Sequence, residues 1–292
     1  MKKSIKIFTV FLLAISFMSV SVMASSLDRK TLIEKEIQEL SNSDNPVDHI
    51  RAVKLMKSIN QEVYIENFDF TALTKDLSQT DRKLAEDTLI KDIESLSKLN
   101  DSILKEMGCL EEQINAIKNF DGTLQSAILA SPTLSVYGGF TNYVKGSSQT
   151  TVKMISAFQW TGTYISYNGK QDIFATVWTL PMFETSENGY VNYKKNNSSD
   201  ILPTYPPLIA SDLNGGYMIF NKIKSGYTLY AGSIITQLKA NSYEPNVGGF
   251  CSYGKSTTDV SPSAAASGQG LSVGITFSKN VLIAGTDRFQ AY

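Results

Sequence analysis

The composition of this chain changes abruptly near Asp121, and that break limits the folds open to it. Of 19 glycines, 18 lie at Gly122 or beyond; 13 of 14 tyrosines and both tryptophans follow residue 120. Acidic residues run the other way, with 20 of 28 between Asp28 and Asp121. Aromatic residues favour strands and glycine favours turns, whereas a Glu/Lys background almost free of glycine favours helix. The sequence therefore predicts an α+β chain. A helical segment or small bundle spans 25–122, and an antiparallel β-sandwich follows over 123–292.

Periodicity supports each half. Leu32, Ile33, Ile37 and Leu40 repeat at helical spacing, and Asn45-Pro46 supplies a cap and a first-turn proline for a second helix. A third and longest helix is expected from Thr80 or Asp81. Its stripe is Leu84, Ile90, Ile93, Leu96, Leu99, Ile103 and Met107, and Gly108 is placed to end it. A short amphipathic helix follows from Leu110 to about Phe120. The stripes are narrow and suit a small bundle or helical hairpin.

In the second half, Val152, Met154, Phe158 and Trp160 alternate with Lys153 and Gln159, the period of a half-buried strand. Ile173 to Trp178 carries bulk on both faces. Tyr217–Asn221, Tyr227–Leu238 and Leu271–Ser278 read as further strands. Turns are expected at Asn168-Gly169, Asn188-Gly189, Asn214-Gly215-Gly216 and Ser225-Gly226. The Ser- and Ala-rich stretch from Ser256 to Gly270 reads as an exposed loop.

The first residues predict export. Lys2, Lys3 and Lys6 precede a run from Ile7 to Ile15 that is apolar but for Thr9, and small and apolar residues lead to Val22-Met23-Ala24. This is the pattern of a signal peptide over 1–24, cleaved after Ala24. Ser16, Ser19 and Ser21 interrupt the run, which disfavours a membrane-spanning helix. The ending Arg288-Phe289-Gln290-Ala291-Tyr292 carries no apolar tail, so a secreted, freely released protein is expected. A formal net charge of −1 gives no field that would draw in nucleic acid. Cys109 and Cys251 are the two cysteines; export permits a bridge between them, and two separately buried thiols fit equally well.

Catalytic signatures are absent. There is no His-Glu-x-x-His, no Gly-x-Ser-x-Gly and no phosphate-cradling glycine loop. The single histidine, His49, lies beside Asp48 in a charged helix and reads as a solvated surface residue. No cofactor is implied, and one histidine with two distant cysteines makes a poor zinc site. A hydrolase would have to assemble two carboxylates from Asp172, Glu184, Glu187, Asp200, Asp212, Glu244, Asp259 and Asp287. Asp212-Leu213-Asn214-Gly215 faintly suggests a calcium loop but suits a tight turn better. The candidate ligand-binding residues are aromatic: Trp160, Tyr164, Tyr167 and Trp178 cluster in one strand–turn–strand region. Exposed, they would stack on sugar rings or sit at a lipid interface; Trp160 and Trp178 also suit a sandwich core.

The stretch Met107 to Gly122 introduces a β region with Phe158-Gln159-Trp160, then Val177-Trp178, and a closing Gly274-Ile275-Thr276-Phe277 after a Ser-rich loop. Over Met107 to Tyr292 this arrangement resembles uncharacterised secreted proteins of Gram-positive bacteria, chiefly clostridial and bacillary. The resemblance implies export and a β-rich domain, carries over no functional residue, and makes the Cys109–Cys251 bridge less expected. The function expected is a secreted non-catalytic protein, an extracellular or cell-envelope binding module whose partner is a cell-wall glycan, a membrane surface or another protein. The alternatives are a toxin or bacteriocin-like protein that inserts a β-hairpin from Ser147 to Trp160 into membranes, and a carboxylate-dependent hydrolase.

Overall fold

The computed structural model describes residues 30–60, 79–106, 109, 111–131, 133–161, 171–195, 200–210, 214–256, 261–269, 272–278 and 281–291. The leader, Tyr164 and Tyr167, Met107-Gly108, Asp212 and Asp259 lie outside the described residues.

Two antiparallel sheets stack face to face, so the fold is the α+β sandwich that the sequence predicts. Sheet A has the order β1 (Thr133–Lys145), β2 (Thr150–Thr161), β9 (Tyr227–Ala240), β4 (Phe183–Lys195) and β5 (Ile201–Thr204), with β8 (Ile223–Lys224) pairing β9. Sheet B has the order β13 (Val281–Ala291), β10 (Val247–Ser256), β3 (Gln171–Trp178), β7 (Gly215–Asn221) and β6 (Leu208–Ala210). Inward-facing residues alternate along each strand and form one core, including Met154, Phe158, Trp160, Phe174, Trp178, Met218, Phe220 and Tyr253.

Both outer faces are covered as well. Helices α1 (residues 30–40) and α2 (Pro46–Asn60) lie on the outside of sheet A. There Ile37, Ile50, Val53 and Met56 meet Tyr137, Ile155, Ala157 and Ile235. The outside of sheet B carries the hairpin of β11 (Ala264–Gln269) and β12 (Ser272–Phe277). This accounts for the bulk on both faces of β3: Ile173, Ala175 and Val177 are buried beneath that hairpin while Phe174 and Trp178 fill the core. The expected loop from Ser256 to Gly270 is therefore corrected in part, because its small residues make a flat strand that fits against a sheet.

The remaining helices form a satellite core. They are α3 (Gln79–Ser97), α4 (Asp101–Glu106), α5 (Glu111–Lys118) and α6 (Leu124–Ala130), gathered around Ile93, Leu96, Leu104, Ile114 and Ile117. The single long helix expected from Thr80 to Met107 is two. Asn100 breaks it, since its Oδ1 accepts from Ile103 N–H at 2.8 Å and its carbonyl from Leu104 N–H at 3.1 Å. An N-cap inside an apolar stripe restarts the helix in a new register, and Leu104 rather than Ile103 becomes the buried residue. Helix α6 was not expected; Thr123 caps it by accepting from Ser126 N–H at 3.2 Å. The turn at Ser225-Gly226 holds, with both φ angles positive as a two-residue hairpin requires. Asn188-Gly189 is no turn: it lies within β4, where Pro206 carbonyl oxygen passes 3.1 Å from the place of a Gly189 Cβ.

Candidate functional site

The two open edges of the sandwich are treated differently. On one side the edge strands β1 and β13 meet, and Lys57 of α2 reaches Asp287 there at 2.6 Å. Asp287 also accepts from Gly138 N–H at 2.7 Å. Burial pushes the Asp287 carboxyl above its usual range, against the pull of Lys57. Both groups are sealed off, so this corner is a clasp and not a site.

On the opposite side, Tyr205-Pro206-Pro207 crosses from β5 in sheet A to β6 in sheet B. A cleft of about 510 Å³ opens beneath it, lined by Asp44, Glu184, Glu187, Tyr190, Tyr205 and Pro206 among others. A β-bulge in β4 makes its floor. Glu184 pairs with Leu238 and Glu187 with Thr236, with the irregularity between Glu184 and Ser186. Three residues apart, two side chains would normally point to opposite faces; the extra residue brings both carboxyls to the same one. Thr236 Oγ1 donates to Glu187 Oε1 at 3.1 Å. Across the sandwich, a Cβ on Gly216 would fall 2.5 Å from Glu187 Oε2, so the glycine is what leaves room for this carboxyl. Desolvation, reinforced by the charge of Glu184, raises Glu187 to a pKa of about 7.

The aromatic walls are Tyr190 and Tyr205. Tyr190, three residues from Glu187 with no bulge between them, lies on the opposite face of β4, so the cleft runs across that strand's edge. The two tyrosine rings stand 5.9 Å apart at 75°, and Tyr205 is 63% exposed. Tyr190 is held from behind by His49, whose ring lies 5.3 Å away edge-on. Asp44, in the turn between α1 and α2, hydrogen-bonds Tyr190, and burial together with that carboxylate raises the phenol pKa. The turn itself is pinned to sheet A. Asn192 donates to Asn45 at 2.9 Å, and Lys153 donates to Ser41 carbonyl oxygen and Asn42. The helical front thus supplies one wall of the cleft.

His49 is not the solvated residue expected from sequence. It is fully buried, with Nδ1 2.7 Å from Ser233 Oγ and Nε2 2.7 Å from Ser43 carbonyl oxygen. Nε2 therefore donates to the carbonyl and Nδ1 accepts from the serine. Desolvation pushes the imidazole down to about 4, so the ring is neutral. A Ser–His pair of this kind, sealed between helix and sheet, has no access to a substrate.

Trp160 and Trp178 need correction as ligand residues. Each is 3% exposed inside the sandwich; Trp160 packs edge-on against Tyr253, and Trp178 Nε1 donates to Met182 carbonyl oxygen at 3.0 Å. Inward alternation on β2 and β3 takes both rings into the core, beyond the reach of a ligand. Tyr164 and Tyr167 fall outside the described residues.

The candidate acids are dispersed. Asp172 is buried, accepting from Tyr253 OH at 2.6 Å and lying 3.3 Å from Lys222 Nζ, while Asp200 is exposed ahead of β5. Among the described acids of this set, only Glu184 and Glu187 come together. Tyr190, Tyr205 and Asp44 were missed; the legible signal was Tyr205-Pro206-Pro207, a stiff link that cannot continue a strand. Among the described residues, no group of three or more His, Cys, Asp or Glu is arranged to hold a metal ion. No described helix is long and apolar enough to cross a membrane.

No family model and no curated protein matches the chain. Among solved structures, it is similar to the collagen-binding subdomain of an Enterococcus faecalis surface protein, at 8% identity and a TM-score of 0.29 over 53% of this chain and 96% of that one. It is similar in the same way to the collagen-binding domain of a Staphylococcus aureus adhesin, at 9% identity and a TM-score of 0.29, over 53% and 97% of the two chains. Clostridium perfringens delta-toxin overlaps at 6% identity and a TM-score of 0.23, over 55% and 83%. Overlaps this small carry no function across to this chain, so its own geometry has to bear the reading.

Proposed function

We propose that this protein is an exported, non-catalytic binding module of the extracellular space or cell envelope, and that the Tyr190–Tyr205–Glu187 cleft is its ligand site. In this reading, residues 1–24 are a leader removed after Ala24, 25–122 are the helical region and 123–292 the sandwich. The observation that carries the proposal is the construction of the cleft. A bulge, a glycine opposite it, a stiff proline link and a helical turn together line one cleft with two tyrosines and three carboxyls. Concave sites with aromatic walls and a few placed polar groups are the usual form of a small-ligand site.

Binding fits this geometry better than hydrolysis. Acid-pair glycoside cleavage needs carboxyls flanking the scissile bond, whereas Glu184 and Glu187 project from one strand on the same side. Membrane insertion by β2 would require a strand buried on both faces, between β1 and β9, to leave the core.

Retention of the mature protein on cell-wall polymers, compared with Tyr205→Ala, tests the proposal. Loss of an exposed aromatic anchor should weaken retention roughly ten-fold. Equal retention of the two proteins, or none by either, would overturn it.

A further inference from the structure

We propose that the ligand of this cleft presents an ammonium group, primary or quaternary, held between the tyrosine pair and the paired glutamates. The inference rests on the reading of the cleft as the binding site and adds the chemistry of what enters it.

Three observations lead there. First, the described lining contains Asp44, Glu184 and Glu187 and no lysine or arginine, so the only formal charge it can offer is negative. A neutral sugar could donate hydroxyls to those carboxyls but would leave their charge uncompensated, and an anionic polymer would be repelled. Second, the tyrosine rings stand 5.9 Å apart at 75°, nearly perpendicular, which makes two walls of an aromatic cage. The negative face of an aromatic ring attracts a cation lying within about 6 Å of its centroid. Third, the glutamates are not incidental surface acids. The chain spends a bulge to place both on one face and a glycine, Gly216, to let Glu187 approach sheet B. Solvated surface carboxylates need neither device. The helical front adds to the field, since Asp44 belongs to the strongly acidic segment before Asp121.

The test uses choline, whose charge does not change with pH, and its neutral isostere 3,3-dimethylbutan-1-ol. Both are titrated calorimetrically into the mature protein and into the Tyr205→Ala and Glu184→Gln variants. Circular dichroism confirms that the exposed-site variants are folded. The expected result is that choline binds at least about ten-fold more tightly than the isostere, that each variant loses most of this preference, and that choline competes with envelope retention. If alcohol and choline bind alike, or if choline fails to bind while Tyr205→Ala still abolishes envelope retention, the ammonium inference is overturned and the cleft reading stands. If Tyr205→Ala changes neither retention nor choline binding, both are overturned.

Discussion

His49 Nδ1 lies 2.7 Å from Ser233 Oγ, a hydrogen bond that ties helix α2 to the central strand β9 across 184 positions of sequence. The same imidazole backs the Tyr190 ring of the cleft, 5.3 Å away. One buried side chain therefore fastens the helical front to the sheet and positions a wall of the site.

That arrangement predicts acid sensitivity. The folded imidazole titrates near 4 against 6.5 when free, so between those values the unfolded chain binds more protons. The contribution is complete above pH 6.5 and is lost as pH falls towards 4. Burial, with Lys153 acting in the same direction, outweighs the Ser43 carbonyl, Asp48 and Asp44, which favour protonation. The shift amounts to about 3 kcal/mol. Urea unfolding of the wild type at pH 7 and pH 4.5 should show this loss beyond that of His49→Gln. At pH 7 that variant should itself be less stable by about 1–3 kcal/mol, because it disturbs the Ser43 and Ser233 partners. A wild type no more acid-sensitive than the variant would refute a buried neutral histidine.

The Lys57–Asp287 clasp predicts unequal costs from its two ends. Removing Asp287 strands both the Lys57 ammonium and Gly138 N–H, whereas removing Lys57 leaves a carboxyl that can take up a proton. Asp287→Ala should cost about 3–5 kcal/mol and Lys57→Met less. The double variant should fall well short of the sum of the single losses. Chemical denaturation of the three proteins measures this directly, and additive losses would mean that the pair is not coupled.

The division into helices and sheets was legible because it depends on local pattern. Met154, Phe158 and Trp160 alternate with the pleat, and Asn45-Pro46 starts α2 as its residue types dictate. What escaped were the features made by long-range contact. His49 looks solvated among its charged neighbours, and only the distant Ser233 and Tyr190 explain its burial. Asn188-Gly189 has the composition of a hairpin turn, yet it pairs with Ile235 and Ile234 of β9 as strand, and the close pass of Pro206 is what favours glycine there. The cleft was legible only as separate pieces. Glu184 and Glu187 were visible as acids, but the bulge that aligns them is a property of pairing with β9.

Neither cysteine is in a disulfide and both are buried, Cys109 in the helical core and Cys251 inside the sandwich. Burial pushes the Cys251 thiol well above its ordinary value, which suppresses the reactive thiolate. A thiol reagent should therefore label neither residue in the native protein within minutes at pH 7.5 and both after unfolding in guanidinium. Mass spectrometry without reductant checks this; a mass lower by the two hydrogens of a bridge, or rapid native labelling, would contradict it.

Glu187 gives the sharpest reading of the cleft, since its behaviour differs with and without ligand. Its folded pKa of about 7 lies above the ordinary 4.5, so the folded state holds its proton more tightly than the unfolded chain does. This favours folding below pH 4.5 and is progressively lost as pH rises through 7. Glu187→Gln keeps the neutral shape at every pH. The variant should match the wild type near pH 4.5 and exceed it at pH 8 by about 1–2 kcal/mol, after allowance for partial solvent screening. An ammonium ligand reverses the preference by stabilising the carboxylate beside Glu184, and the Asp44 carboxylate adds to its attraction. Choline affinity should therefore rise between pH 6 and pH 8 in the wild type, with a proton released on binding at the lower pH. The gain disappears in Glu187→Gln. Calorimetry in two buffers of different ionisation enthalpy reports the proton count; identical heats in both at pH 6 would show that Glu187 does not meet the ligand.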